Sequence, residues 1–241
     1  MSNQYFRFKQ FIIYQDKCAM KVCTDACVFG AYISSKEKDI SNNEINILDV
    51  GTGTGLLSLM IAQKVKGKID AVEIDEKAFE QAKENFRNNA WQTRLSVSHA
   101  DITKFEFQKK YDVIISNPPF FEDSLKSNNK QKNFAKHTAS LPYAALASIV
   151  ANNLINKGKL YILLPFKEFY LFEKIATKNN LSLLEKLNIR QNKDSNYLRT
   201  IGVFSNITNQ AATEQSLTIK DETNRYTENF IDLLKDYYLY L

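Results

Sequence analysis

The chain has 241 residues, enough for one large domain with a sizeable buried core. Hydrophobic residues make up 44% and charged residues 24%, with 12 Tyr, 16 Phe and 1 Trp, a balance too apolar for a disordered chain. No run approaches the roughly 18 to 20 apolar residues of a membrane span. Asn3, Gln4, Arg7 and Lys9 interrupt the apolar stretch that a signal peptide would need, so a cytoplasmic protein with no membrane role is expected.

Three cysteines, Cys18, Cys23 and Cys27, and two histidines, His99 and His137, give neither a disulfide framework nor a zinc-ligand spacing. The cysteines read as small side chains of a reduced protein, and no metal is expected. The net charge of +5 favours an anionic partner only weakly, and lysine outnumbers arginine 26 to 6, a bias that AT-rich coding would also produce.

In chain order, residues 5–14 predict a hairpin-like extension, followed by a helix with Thr24 as its N-cap. Ile45 to Val50 is a short apolar strand that runs into Gly51-Thr52-Gly53-Thr54-Gly55, after which Leu56, Leu57, Leu59, Met60, Ile61 and Val65 follow helical spacing. A strand at 69–74, a helix at 76–90 and strands at 95–98 and 111–116 come next. A helix at 143–156, a strand at 159–164 and a helix at 168–179 continue the alternation. Such units build an α/β, doubly wound, Rossmann-like sheet that is mostly parallel. Strands at 181–189, 197–204 and 217–220 lack a helix between the first two, which predicts an antiparallel C-terminal hairpin at the end of the sheet, closed by a helix over 227–241. Residues 1–44 are read as an N-terminal extension packing on a main domain at 45–241.

Only seven glycines occur in the chain, yet three sit in Asp49-Val50-Gly51-Thr52-Gly53-Thr54-Gly55, between a strand and a helix. A tight turn there needs unusual backbone angles, and the missing side chains let an extended, nucleotide-like ligand lie against the backbone. The spacing has no Gly-Lys-Ser/Thr for phosphate and is not that of ordinary dinucleotide binding. Glu73, at the end of the second strand, can accept from both ribose hydroxyls, while Asp75 reads as a helix N-terminal acid. Asp101, after the third strand, can accept from an adenine amino group.

Ser116-Asn117-Pro118-Pro119-Phe120-Phe121 holds half of the four prolines. Two prolines remove two amide donors and leave carbonyl oxygens as acceptors. The Asn117 side-chain oxygen and the Pro118 carbonyl can therefore take hydrogens from a planar exocyclic amine, with Phe120 stacked on its ring. Lys126, Lys130, Lys132 and Lys136 follow directly, as either phosphate contacts or a solvated lysine-rich loop.

These elements together resemble the class I S-adenosylmethionine-dependent methyltransferases, over roughly residues 24–165. Asp49, Gly51, Gly53 and Gly55 match that family's cofactor loop, Glu73 its ribose acid and Asp101 its adenine-binding acid. Asn117 to Phe120 match the Asn-Pro-Pro-Tyr/Phe motif of members that methylate planar amino groups, where Asn117 also borders the cofactor. The segment from Met20 to Ala31, through Lys21, Thr24, Asp25, Gly30 and Ala31, is similar to that of bacterial tRNA adenine-N6 methyltransferases, although Cys23 and Ala26 stand where glycine is expected. The resemblance implies S-adenosylmethionine as cofactor, a flipped anticodon-loop adenine of valine tRNA as substrate, Asn117, Pro118 and Phe120 as catalytic residues, and a monomer. Lys21, Lys126, Lys130, Lys132 and Lys136 would contact the RNA. Three rivals stay open: glutamine methylation of a release factor, amino methylation of ribosomal RNA, and a non-catalytic RNA-binding or cofactor-sensing module.

Overall fold

Successive residues of the central strands bury opposite sides, and that alternation sets the layers. Ile45 and Ile47 join one apolar cluster while Leu48 and Val50 join a second; Val113 and Ile115 divide from Ile114 in the same way. The computed structural model describes residues 3–38, 44–119, 141–207 and 211–241. Its elements are β1 (Tyr5–Arg7), β2 (Ile12–Tyr14), α1 (Thr24–Glu37), β3 (Ile45–Val50), α2 (Leu56–Lys64), β4 (Gly67–Glu73), α3 (Glu76–Arg87), β5 (Leu95–His99) and β6 (Tyr111–Ser116). They continue as α4 (Tyr143–Asn153), β7 (Leu154–Pro165), α5 (Phe166–Lys178), β8 (Ser182–Arg190), β9 (Arg199–Ser205), β10 (Thr213–Thr218) and α6 (Glu228–Leu234).

β1 and β2 form an antiparallel hairpin, and the other eight strands form one sheet in the order β10-β8-β9-β7-β6-β3-β4-β5. The first half runs outward from β3 to β5, and the second returns to start at β6 on the other side of β3. The order therefore reverses between β3 and β6, which opens a crevice at their carboxyl ends. α1, α2 and α6 cover one face of the sheet, and α4 and α5 the other. Among the described residues, no helix is long and apolar enough to cross a membrane.

The C-terminal arrangement differs from the sequence reading in its edge. β8 and β9 do form an antiparallel hairpin, but β9 inserts between β7 and β8, and β10 adds outside β8 in parallel. β10 is largely exposed, with Leu217 and Thr218 the covered end, so its apolar pattern marked only that end. The N-cap of α1 is Cys23, not Thr24, and it makes no side-chain cap. α4 ends at Asn153 because β7 already starts at Leu154, with Lys157 in the left-handed region at φ 64°. α6 is capped by Thr227, whose hydroxyl accepts from Phe230, but it ends at Leu234. The chain then turns to bury Tyr237, whose hydroxyl donates to the Met60 carbonyl at 3.1 Å.

Candidate functional site

A cavity of about 380 Å³ lies at the carboxyl ends of β3 to β6, lined by Val50 and Gly51, Val72 and Ile74, Ala100 to Thr103, Ser116, Pro118, Pro119, Leu141 and Pro142. It occupies the crevice that the strand order creates. β3 carries Asp49 into the turn and buries it completely. Its Oδ2 accepts from the hydroxyls of Thr52 and Ser58, each at 2.7 Å, while its Oδ1 has no partner among the described residues. Burial pushes the Asp49 carboxyl up to about 6; the hydroxyl bonds oppose this and the nearby Glu73 carboxylate adds to it. Two buried carboxylates at the carboxyl ends of neighbouring strands favour a cationic ligand group.

The three glycines of the turn have different surroundings. Gly51 and Gly53, at φ 74° and 58°, have open space where a Cβ would stand, whereas a Cβ on Gly55 would meet Phe86 Cε1 at 2.5 Å. Gly51 and Gly53 therefore leave open space beside the turn that a ligand can fill, and Gly55 serves the close packing of α2 against α3.

Glu73 is buried at the end of β4, with Oε2 accepting the Gly53 amide at 2.8 Å and Oε1 accepting the Ile74 and Asp75 amides at 2.9 and 3.0 Å. Asp75 caps α3 by accepting the Ala78 amide at 2.8 Å. Asp101 lines the cavity, but its Oδ1 also caps the following turn, accepting from the amide and hydroxyl of Thr103 at 2.9 and 2.7 Å. Those bonds hold its carboxyl below the ordinary aspartate value. The sequence pattern marks Ile74 only as the end of a strand, but it is 58% exposed and lines the cavity, opposite in chemistry to the acid before it. An exposed isoleucine at a strand's carboxyl end offers a flat ring an apolar wall, and Ile102 offers another.

β6 delivers Asn117 and the two prolines. Pro118 is buried and lines the cavity with Pro119, and the Asn117 Oδ1 is buried without a partner among the described residues. A buried acceptor gains stability when a donor reaches it, and a ligand in the adjoining cavity can supply one. Phe120, Lys126, Lys130, Lys132, Lys136 and His137 lie outside the described residues. Lys21 is exposed, and its Nζ donates to the Gln15 carbonyl. Among the described residues, no group of three or more His, Cys, Asp or Glu side chains is placed to hold a metal ion.

The methyltransferase small domain model matches residues 34–182, which spans β3 to β7 and the whole cavity. The chain belongs to that methyltransferase family. This methyltransferase is also 40% identical over 241 residues to a Dyadobacter fermentans protein, covering 98% of each chain, and 40% identical over 239 residues to one from Phocaeicola vulgatus, covering 99% of each. Both relatives are named tRNA1(Val) (adenine(37)-N6)-methyltransferase. In fold it is similar to an Agrobacterium tumefaciens protein described as a predicted O-methyltransferase, with a TM-score of 0.69 and 15% identity over 88% of this chain and 96% of that one. A methyltransferase from Pyrococcus furiosus matches with a TM-score of 0.53 and 21% identity, over 75% and 83%.

The residues of the cavity fit S-adenosylmethionine, the methyl donor of this enzyme. The apolar walls at Ile74 and Ile102, with Gly51 at the cavity and Gly53, the Glu73 carboxylate and the Asp49 oxygen that has no partner among the described residues beside it, suit an extended, cationic adenosine derivative.

Proposed function

We propose that the protein transfers the methyl group of S-adenosylmethionine to N6 of an adenine in tRNA, adenosine 37 of the valine tRNA. The observation that carries the reading is the buried Asn117 oxygen at the end of β6, without a partner among the described residues and beside Pro118 and the cavity, in a chain similar over nearly its whole length to relatives of that name. Residues 45–241 carry the transfer domain, and residues 1–44 an extension packed on it. In this reading the protein acts on tRNA in the cytoplasm, as a monomer.

The sulfonium supplies an already activated methyl group, so the protein has to orient, desolvate and align. Asn117 Oδ1 and the Pro118 carbonyl accept the two hydrogens of the adenine amine. This fixes its plane, keeps its lone pair directed at the methyl carbon and stabilises the positive charge that grows on nitrogen. The prolines supply no amide donors to compete for those oxygens. Phe120 stacks on the base, which an anticodon loop presents without the cost of opening a duplex. Glu73 holds the ribose hydroxyls and Asp101 the adenine amine of the donor, while Asp49, Gly51 and Gly53 receive its amino-acid end. Lys21, Lys126, Lys130, Lys132 and Lys136 contact phosphates.

Incubation with labelled S-adenosylmethionine and, separately, tRNA, ribosomal RNA and a glutamine-containing release-factor peptide, followed by mass spectrometry of the products, tests this. N6-methyladenosine from tRNA supports the reading. Label only in the peptide or only in ribosomal RNA overturns it.

A further inference from the structure

The end of β2 at Tyr14, and Lys17 just after it, are held by side chains of α3. Asn85 is fully buried; its Oδ1 accepts the Tyr14 amide at 2.9 Å, and its Nδ2 donates to the carbonyls of Tyr14 and Thr54, each at 2.8 Å. One turn earlier Gln81, also fully buried, accepts the Lys17 amide at 2.9 Å. Thr54 stands between Gly53 and Gly55 in the cofactor turn, whose Gly53 amide is held on its other side by Glu73.

Ala78, Gln81, Ala82, Asn85 and Phe86 form the buried stripe of α3, where apolar side chains would contribute more by burial. The two amides are explained by the backbone groups they serve, one set in residues 14–17 and one in the cofactor turn. Resting on the assignment of that turn and Glu73 to the cofactor, we propose that Asn85, assisted by Gln81, is a positioning residue for S-adenosylmethionine: it ties the end of β2 to the glycine turn, so that the turn is held in shape for the cofactor. The adenine amine is oriented from β6, on the far side of β3, so loosening the tie weakens cofactor binding and leaves the alignment of the acceptor largely intact.

The test is calorimetric titration with S-adenosylmethionine and steady-state kinetics with tRNA for Asn85→Asp and Gln81→Met. Asn85→Asp keeps the acceptor for Tyr14 but loses both donated bonds. Gln81→Met loses a single bond, since the Gln81 amide nitrogen has no partner among the described residues. The expected result is a rise in Kd and KM for S-adenosylmethionine of about tenfold for Asn85→Asp and about threefold for Gln81→Met, with kcat within about threefold of wild type. Should Asn85→Asp fail to fold, the Gln81→Met shift decides. Wild-type cofactor affinity in the folded variants, or a fall in kcat at unchanged KM, overturns the proposal. Glu73→Ala, measured alongside, separates the layers: if it weakens binding and the α3 variants do not, the tie alone fails. If Glu73→Ala also binds normally, the cofactor assignment beneath it fails.

Discussion

Glu73 Oε2 accepts the Gly53 amide at 2.8 Å, so the acid at the end of one strand fixes the turn that leaves its neighbour. In the proposed function the same carboxylate both shapes the turn and presents its charge to the ligand. Glu73→Ala removes both effects, and S-adenosylmethionine affinity measured by calorimetry is expected to fall by about 10- to 150-fold, the worth of one or two charged hydrogen bonds. Unchanged affinity would remove Glu73 from the site.

Asp49 gives a pH dependence with a definite sign. Its carboxyl is raised from 3.8 to about 6 by burial, so the folded state holds that proton more tightly than the unfolded chain. Its contribution to stability is fully present below about pH 4 and is lost as pH rises through about 6. Asn cannot ionise, so in cofactor-free protein the stability of Asp49→Asn relative to wild type should improve between pH 4 and pH 7, by on the order of 2 to 3 kcal/mol. Denaturant melts at several pH values check this; a stability difference independent of pH would contradict it. The variant should also bind S-adenosylmethionine less well, because the unpaired oxygen and its charge are gone.

The glycines should separate stability from binding. Gly55→Ala meets Phe86 at a left-handed φ of 81° and should lower stability by about 2 to 4 kcal/mol, from overpacking and backbone strain together. Gly53→Ala meets open space, so its stability loss should be confined to the roughly 1 to 2 kcal/mol of strain, with cofactor affinity the larger casualty. Thermal melts and titrations of the two variants compare these losses, and equal effects on both readouts would contradict the division.

Asn117→Ala should retain S-adenosylmethionine binding and lose about 100-fold or more in single-turnover rate at saturating tRNA, as expected for a preorganised acceptor aimed at the reacting amine. A wild-type rate would refute its role.

Much of this was legible because the signals are local. Ile45 to Val50 followed by alternating threonine and glycine specifies strand and turn within eleven residues, with a helix directly after, and Asn117-Pro118-Pro119 marks the end of β6 by chemistry that no ordinary turn requires. The insertion of β9 between β7 and β8 was not legible, since strand pairing is a non-local choice that the pattern of each strand leaves undecided. Nor was the service of Asn85: a polar residue on the apolar stripe of α3 signals a buried partner, but Tyr14 and Thr54 are 71 and 31 residues away. Ile74 was read simply as the end of its strand, because exposure at a cavity wall is a property of the folded sheet edge.

Position-resolved mass spectrometry of valine tRNA, after incubation with the protein and S-adenosylmethionine, tests the central claim most directly. A single added methyl group on adenosine 37, carried on N6 and absent from a transcript with guanosine at that position, is the predicted result. Methylation elsewhere in that tRNA, or none while another RNA or a glutamine side chain is methylated, would contradict it.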